Sequence, residues 1–72
     1  MKYAVIFEKA EHNWAAYVPD LPGCVTTGKT LEDTRRLIAE AIAFHLDGLR
    51  RHGYSVPEPS TRAEEIEAVA AL

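Results

Sequence analysis

The chain has a single cysteine, Cys24, among its 72 residues. An internal disulfide and a cysteine-rich zinc site are therefore excluded. Long apolar runs are also missing, and nothing approaches the ~20 residues that cross a bilayer. The first apolar stretch, Tyr3 to Phe7, stops at Glu8, short of the ~7–15-residue core of a signal peptide. A cytoplasmic chain with no membrane contact is expected. Net charge is small, −3 from eight basic and eleven acidic residues. That balance argues against a nucleic-acid binder acting alone, because tracking phosphates needs a basic surface. The glycines, Gly23, Gly28, Gly48 and Gly53, fit no phosphate-cradling pattern. Internal repeats and low-complexity segments are absent.

What is present is the composition of one small ordered domain, 47% hydrophobic and 26% charged. At 8.0 kDa such a chain buries so little surface that hydrophobic gain and lost chain entropy nearly cancel. With no disulfide to staple it, self-association or a protein partner is the expected source of further stability.

Hydrophobic patterning sets the elements. Lys2 to Lys9 alternates, with Tyr3, Val5 and Phe7 on one face and Ala4 and Ile6 on the other, which predicts a strand. Glu11-His12-Asn13 supplies a turn, and Trp14 to Val18 forms a hairpin partner ended by Pro19. Pro19-Asp20-Leu21-Pro22-Gly23 reads as a stiff, turning loop, and Cys24 to Thr27 as a third strand closed by Gly28. Thr30 with Asp33 resembles a capping box, and opens a helix from Leu31 to His52 that Gly53 stops. Its core face carries Leu31, Thr34, Ile38, Ala41, Ile42, His45 and Leu49. The opposite, solvated arc pairs Glu32 with Arg36 and Asp47 with Arg51 at i,i+4. Leu37, Phe44 and Gly48 flank the core stripe. Tyr54 to Val56 predicts a short fourth strand ended by Pro57 and Pro59. Ser60 or Thr61 then opens a second helical pattern over 63–72, with Thr61 and Glu64 as a capping pair and Ile66, Val69 and Ala70 on one side. The fold class is α+β: a three-stranded antiparallel meander, one long helix on the sheet, a short fourth strand and a short C-terminal helix. The expected units are a domain over 1–59 and an acidic helical tail over 60–72.

Catalytic chemistry finds little support. Cys24 has His12, His45 and His52 as possible bases, but it sits in a strand pattern where a free cysteine is ordinarily packing. His45 and His52 are two helical turns apart, about 10 Å, too far to share a metal ion. His45 falls on the core face and reads as a hydrogen-bonded interior or interface group. Glu8, Glu40 and Asp20 are the only plausible carboxylate trio for metal-dependent nuclease chemistry, and no spacing supports them. No catalytic residue, metal or cofactor is expected.

Read in order, Tyr3-Ala4-Val5-Ile6-Phe7-Glu8, Tyr17-Val18-Pro19-Asp20-Leu21-Pro22-Gly23-Cys24, Thr26, Gly28, Thr30-Leu31-Glu32-Asp33, Glu40-Ala41-Ile42, His45-Leu46, Gly48-Leu49, Gly53 and Val56-Pro57-Glu58-Pro59 resemble the HicB family of toxin–antitoxin antitoxins. The specific part is P-D-L-P-G-C followed by T-x-G-x-T. The resemblance implies a β-β-β-α-β, degenerate RNase H-like domain. It implies a non-enzymatic inhibitor that binds HicA, a small basic RNA-cleaving toxin, and covers its RNA-binding or active surface. Many members carry a C-terminal DNA-binding module; the stretch after Ser60 is too short for one, so autonomous DNA binding is not expected.

Candidate toxin contacts are Asp20, Leu21, Glu32, Asp33, Glu58, Glu64, Glu65 and Glu67. Candidate oligomer contacts are Leu37, Phe44 and Ile6. The acids suit a basic partner because residues 1–57 balance, seven basic against seven acidic, and the whole −3 comes from the last fifteen residues. The alternative function is a solitary oligomeric interaction or regulatory module of this fold with no cognate toxin. A third, an enzyme with residual RNase H-like activity, would require Glu8 and Glu40 to support metal-dependent cleavage.

Overall fold

A computed structural model of the chain describes residues 1–69. Strands β1 (Ile6–Lys9), β2 (Trp14–Tyr17) and β3 (Val25–Gly28) precede one helix, α1 (Leu31–Arg51). The sheet is an antiparallel meander in the order β1-β2-β3. Phe7 opposes Ala16, which opposes Thr26; Ile6 opposes Tyr17, which opposes Val25. Successive side chains alternate across a strand, so the Phe7–Ala16–Thr26 row faces the helix and the Ile6–Tyr17–Val25 row faces away. The α+β class, the meander and the single long helix agree with the sequence reading.

β1 starts at Ile6 rather than Lys2 because its partner strand stops supplying ladder groups. Beyond Tyr17 the chain turns on itself, and Pro19 has no N–H to give. Tyr3 and Val5 still pack against the core, as the alternation requires.

The β2–β3 connection is built from local hydrogen bonds. The Leu21 N–H donates to the Val18 carbonyl at 3.0 Å, the Cys24 N–H to the Leu21 carbonyl at 3.0 Å, and the Val18 N–H to the Cys24 carbonyl at 3.1 Å. Pro22 and Gly23 occupy the centre of the second turn, and Gly23 has φ +86°. Proline then a positive-φ glycine is the pattern of a type II turn. This geometry drives Leu21 inward, where it is wholly enclosed. The core is Ala16, Val18, Leu21, Cys24 and Ile38, with Phe7, Ala41, Ile42 and Leu46 packed around it. Burial pushes the Cys24 thiol above its ordinary pKa, which disfavours the reactive thiolate. The Arg35 guanidinium lies 6.0 Å from the centroid of the Phe7 ring, a cation–π contact at the margin of this core.

α1 is capped as its sequence predicts. Thr30 is extended (φ −126°, ψ 163°), and its Oγ1 accepts the Asp33 N–H at 3.0 Å. At the other end the Tyr54 N–H donates to the Leu49 carbonyl and the Gly53 N–H to the Arg50 carbonyl, the paired bonds of a Schellman stop. Leu46 packs on the core, whereas sequence winding centred the stripe nearer His45. His45 is only half-buried, and no hydrogen bond to it occurs among the described residues. On the solvated arc Arg36 pairs with Glu40 at 3.4 Å rather than with Glu32, and Arg51 pairs with Asp47 at 3.0 Å.

Two expected elements are absent from the described residues. Tyr54–Val56 forms no strand. The Tyr54 N–H is committed to the helix stop, and Pro57 and Pro59 remove donors just beyond. Residues 61–69 form no helix. A segment this short does not hold a helix alone, and the N–H and hydroxyl of Thr61 are engaged elsewhere, as described below. Residues 70–72, where the expected helix and its Ala70 would end, lie outside the described residues.

The helix meets the sheet most tightly at Gly28. A Cβ placed there would lie 2.5 Å from Thr34 Oγ1 and 3.1 Å from Thr34 Cα. Thr34 is itself wholly buried, and its hydroxyl is fixed by donating to the Thr30 carbonyl at 2.7 Å. Gly28→Ala must therefore move β3 or the first turn of α1. The expected cost is about 1–3 kcal/mol, read as a fall in melting temperature of about 5–20 °C. An unchanged melting temperature would show that the helix start is not seated this way.

Candidate functional site

The candidate acids fall into two separate groups. β2 ends at Tyr17, the loop holding Asp20 lies at that end, and β3 carries the chain back to the opposite end, where α1 starts. Glu32 and Asp33 thus sit at the far end of the sheet from Asp20, beside β3. Asp20 and the Glu32–Asp33 pair therefore do not share one corner of the fold. Four residues of β3, about 13 Å of extended chain, separate them.

Asp20 does not project freely. Its Oδ2 accepts the Ser60 N–H at 2.8 Å and the Thr61 N–H at 2.9 Å, and its Oδ1 accepts the Thr61 hydroxyl at 2.6 Å and the Ser60 hydroxyl at 3.2 Å. The Thr61 hydroxyl and N–H, then the Ser60 N–H, hold the carboxyl down at about 2, below its ordinary 3.8. Leu21, the other candidate from this loop, is enclosed in the core and offers no side-chain surface. Its assignment as a toxin contact is corrected: the paired turns that shape the loop turn it inward.

The bond from Asp20 ties down the C-terminal segment. A second tie lies upstream, where the Tyr3 hydroxyl donates to the Pro57 carbonyl. Past these two points the chain runs beside β1, the open edge of the sheet. Val5, Ile6 and Phe7 on one side and Ala63, Glu64 and Glu65 on the other line a cleft of about 320 Å³. Glu64 also pairs with Arg62 at 3.0 Å. Glu58, Glu64, Glu65 and Glu67 are all exposed, as is Glu32, while Asp33 is half-buried. The apolar floor and carboxylate wall of this cleft were not legible in the sequence, because the contact spans most of the chain. The three candidate oligomer contacts are likewise split. Ile6 lies on the sheet face turned from the helix, and Leu37 and Phe44 lie on the helix itself. Among the described residues no group of three or more His, Cys, Asp or Glu is placed to hold a metal ion, and no helix is long and apolar enough to cross a membrane.

The Asp20 tie gives a pH signature. A carboxyl lowered in the folded chain stabilises it fully above the ordinary carboxylate range and loses that contribution as pH falls through the lowered value. The Ser60 and Thr61 amide resonances should titrate near pH 2, and a midpoint near 4 would refute the tie. Asp20→Asn should speed amide exchange at Ser60 and Thr61 by about tenfold or more, as expected for loss of hydrogen bonds to a charged acceptor.

This chain is similar to several known proteins. The family model described as "HicB_like antitoxin of bacterial toxin-antitoxin system" matches residues 3–70. A UPF0150 protein of Thermoplasma acidophilum is 42% identical over 67 residues, 92% of this chain and 94% of that protein. Antitoxin HicB 2 of Photorhabdus laumondii is 34% identical over 71 residues, and this chain spans 51% of its length. A chain of the solved "HicA3 and HicB3 toxin-antitoxin complex" superposes with a TM-score of 0.71 at 30% identity, covering 83% of this chain and 70% of that one. The meander-and-helix fold and the match over nearly the whole length lead to one assignment: the chain belongs to the HicB-like antitoxins of bacterial toxin–antitoxin systems, a family of antitoxins rather than enzymes.

Proposed function

We propose that the chain binds and neutralises a HicA-like, mRNA-cleaving toxin by covering its RNA-binding or active surface. The observation that carries this reading is the structural match to a chain of a toxin–antitoxin complex over 83% of its length. The charge distribution supports it. Residues 1–57 are neutral, and the four glutamates after them stand against one arginine. Glu64 and Glu65 wall a cleft whose floor is the apolar edge of β1. An exposed acidic rim beside an apolar floor suits a basic protein, steering its approach and competing with RNA phosphates for its cations. Glu58, Glu64, Glu65 and Glu67 are the proposed contacts. Glu32 and Asp33 would form a separate rim, and Asp20 contributes by holding the tail in place. The RNase H-like relationship, a cytoplasmic site of action and the lack of operator binding by this chain alone belong to the same proposal.

Coexpression with a small basic HicA-like toxin from the same genome tests it. Rescue of growth and co-purification are expected, whereas neither occurring would overturn the reading. Replacing Glu64, Glu65 and Glu67 together with Gln should slow association about tenfold at low salt, with the difference vanishing near 1 M salt. Equal association rates at low salt would remove the tail from the interface.

A further inference from the structure

The outer edge of β1 carries backbone groups that the described residues leave unused. The Ala10 N–H donates to the Asn13 carbonyl at 2.8 Å, and the Val18 N–H to the Cys24 carbonyl at 3.1 Å. Bonded and non-bonded residue pairs alternate along an antiparallel ladder. The first bond therefore makes Glu8–Ala15 and Ile6–Tyr17 the bonded pairs of β1 and β2. The second agrees, because it turns Val18 and Ala16 toward β3 and leaves Ala15 and Tyr17 to β1. The N–H and carbonyl groups of Val5 and Phe7 consequently point away from the sheet. They border the cleft that Ala63, Glu64 and Glu65 wall on its far side. No backbone group of the tail bonds to them among the described residues. Pro57 and Pro59 have no N–H to offer, and the Tyr3 and Asp20 ties hold the tail across the cleft instead of against the strand.

We propose that this edge is a slot for strand addition, which takes an extended, cation-bearing segment of a basic partner protein between β1 and the acidic tail. Resting on the toxin-binding reading above, this makes backbone hydrogen bonds to Val5 and Phe7 the source of affinity. The carboxylate wall supplies selectivity for Lys or Arg on the added strand. Glu64 already holds Arg62 at 3.0 Å, so the exposed Glu65 is the carboxylate that first meets an incoming cation. Lys9 guards the hairpin end of the edge, as lysines on edge strands do, and confines the slot to Val5–Phe7. A second copy of the chain is the poorer occupant, because pairing edge to edge would bring two carboxylate walls together.

Amide exchange on the whole chain tests this, with a synthetic seven-residue peptide of alternating Lys and Val as the probe. In the free chain the Val5 and Phe7 amides should exchange about tenfold or more faster than those of Ile6 and Glu8. Saturating peptide at low salt should slow Val5 and Phe7 about tenfold or more and leave Val25 and Thr27, on the other edge of the sheet, unchanged. The same peptide N-methylated throughout should give no protection, and Glu in place of Lys should weaken binding about tenfold. Protected Val5 and Phe7 amides in the free chain, no slowing by the Lys peptide, slowing confined to Val25 and Thr27, or an equal effect of the methylated or acidic peptide would each overturn the proposal. So would a captured toxin that leaves Val5 and Phe7 exchange unaltered, a result that keeps toxin binding itself intact. Protection by the peptide in a chain that captures no toxin would support the slot and overturn the toxin-binding reading instead.

Discussion

The inward turn of Leu21 is the constraint on which the rest of this small fold depends. One helix on one face of a three-stranded sheet leaves the end of the core open. The loop after β2 closes it, and three of the five buried apolar residues, Val18, Leu21 and Cys24, belong to that loop or its hinges. Two local turns fix the loop without help from the rest of the chain, so Leu21 is delivered to the core by short-range geometry. The same turn that sends Leu21 in sends Asp20 out. Tail docking is thus a second consequence of the same backbone path, and the acidic segment owes its position on the β1 edge to a buried leucine.

Much of this was legible in the sequence, for reasons that can be stated. The strand alternation, the Thr30 cap and the Gly53 stop are local, and each cap rests on groups within five residues of one another. The burial of Leu21, a candidate toxin contact, is less legible, because loops rich in proline and glycine ordinarily lie on the surface. The available signal is a large apolar residue held between two turn-formers, Pro19-Asp20 and Pro22-Gly23. The fourth strand and the C-terminal helix failed for a different reason. Propensity marked them, but a strand needs a free ladder and a short helix needs a face to dock on. Tyr54 had given its N–H to the helix stop, and Thr61 had given its donors to Asp20. That bond joins residues 41 positions apart, and no periodicity reports such a contact.

Charge and architecture divide the labour along the chain. The neutral domain carries the packing, including the Gly28–Thr34 contact that seats α1 on β3. The net acidity lies in the segment after Pro57, which supplies no residue to the core cluster and is tied by the Asp20 hydrogen bonds. A surface of this kind can vary without disturbing the fold, because the packing of the sheet and helix does not depend on it.

The lone thiol sits where the two turns of the loop close on the core. Cys24 is enclosed on all sides and its burial disfavours the thiolate. Alkylating reagents and mild oxidants therefore reach it only when the loop lifts away. The one sulfhydryl is thus a reporter placed inside the core, and its reaction under native conditions reads the population of states in which that core is open.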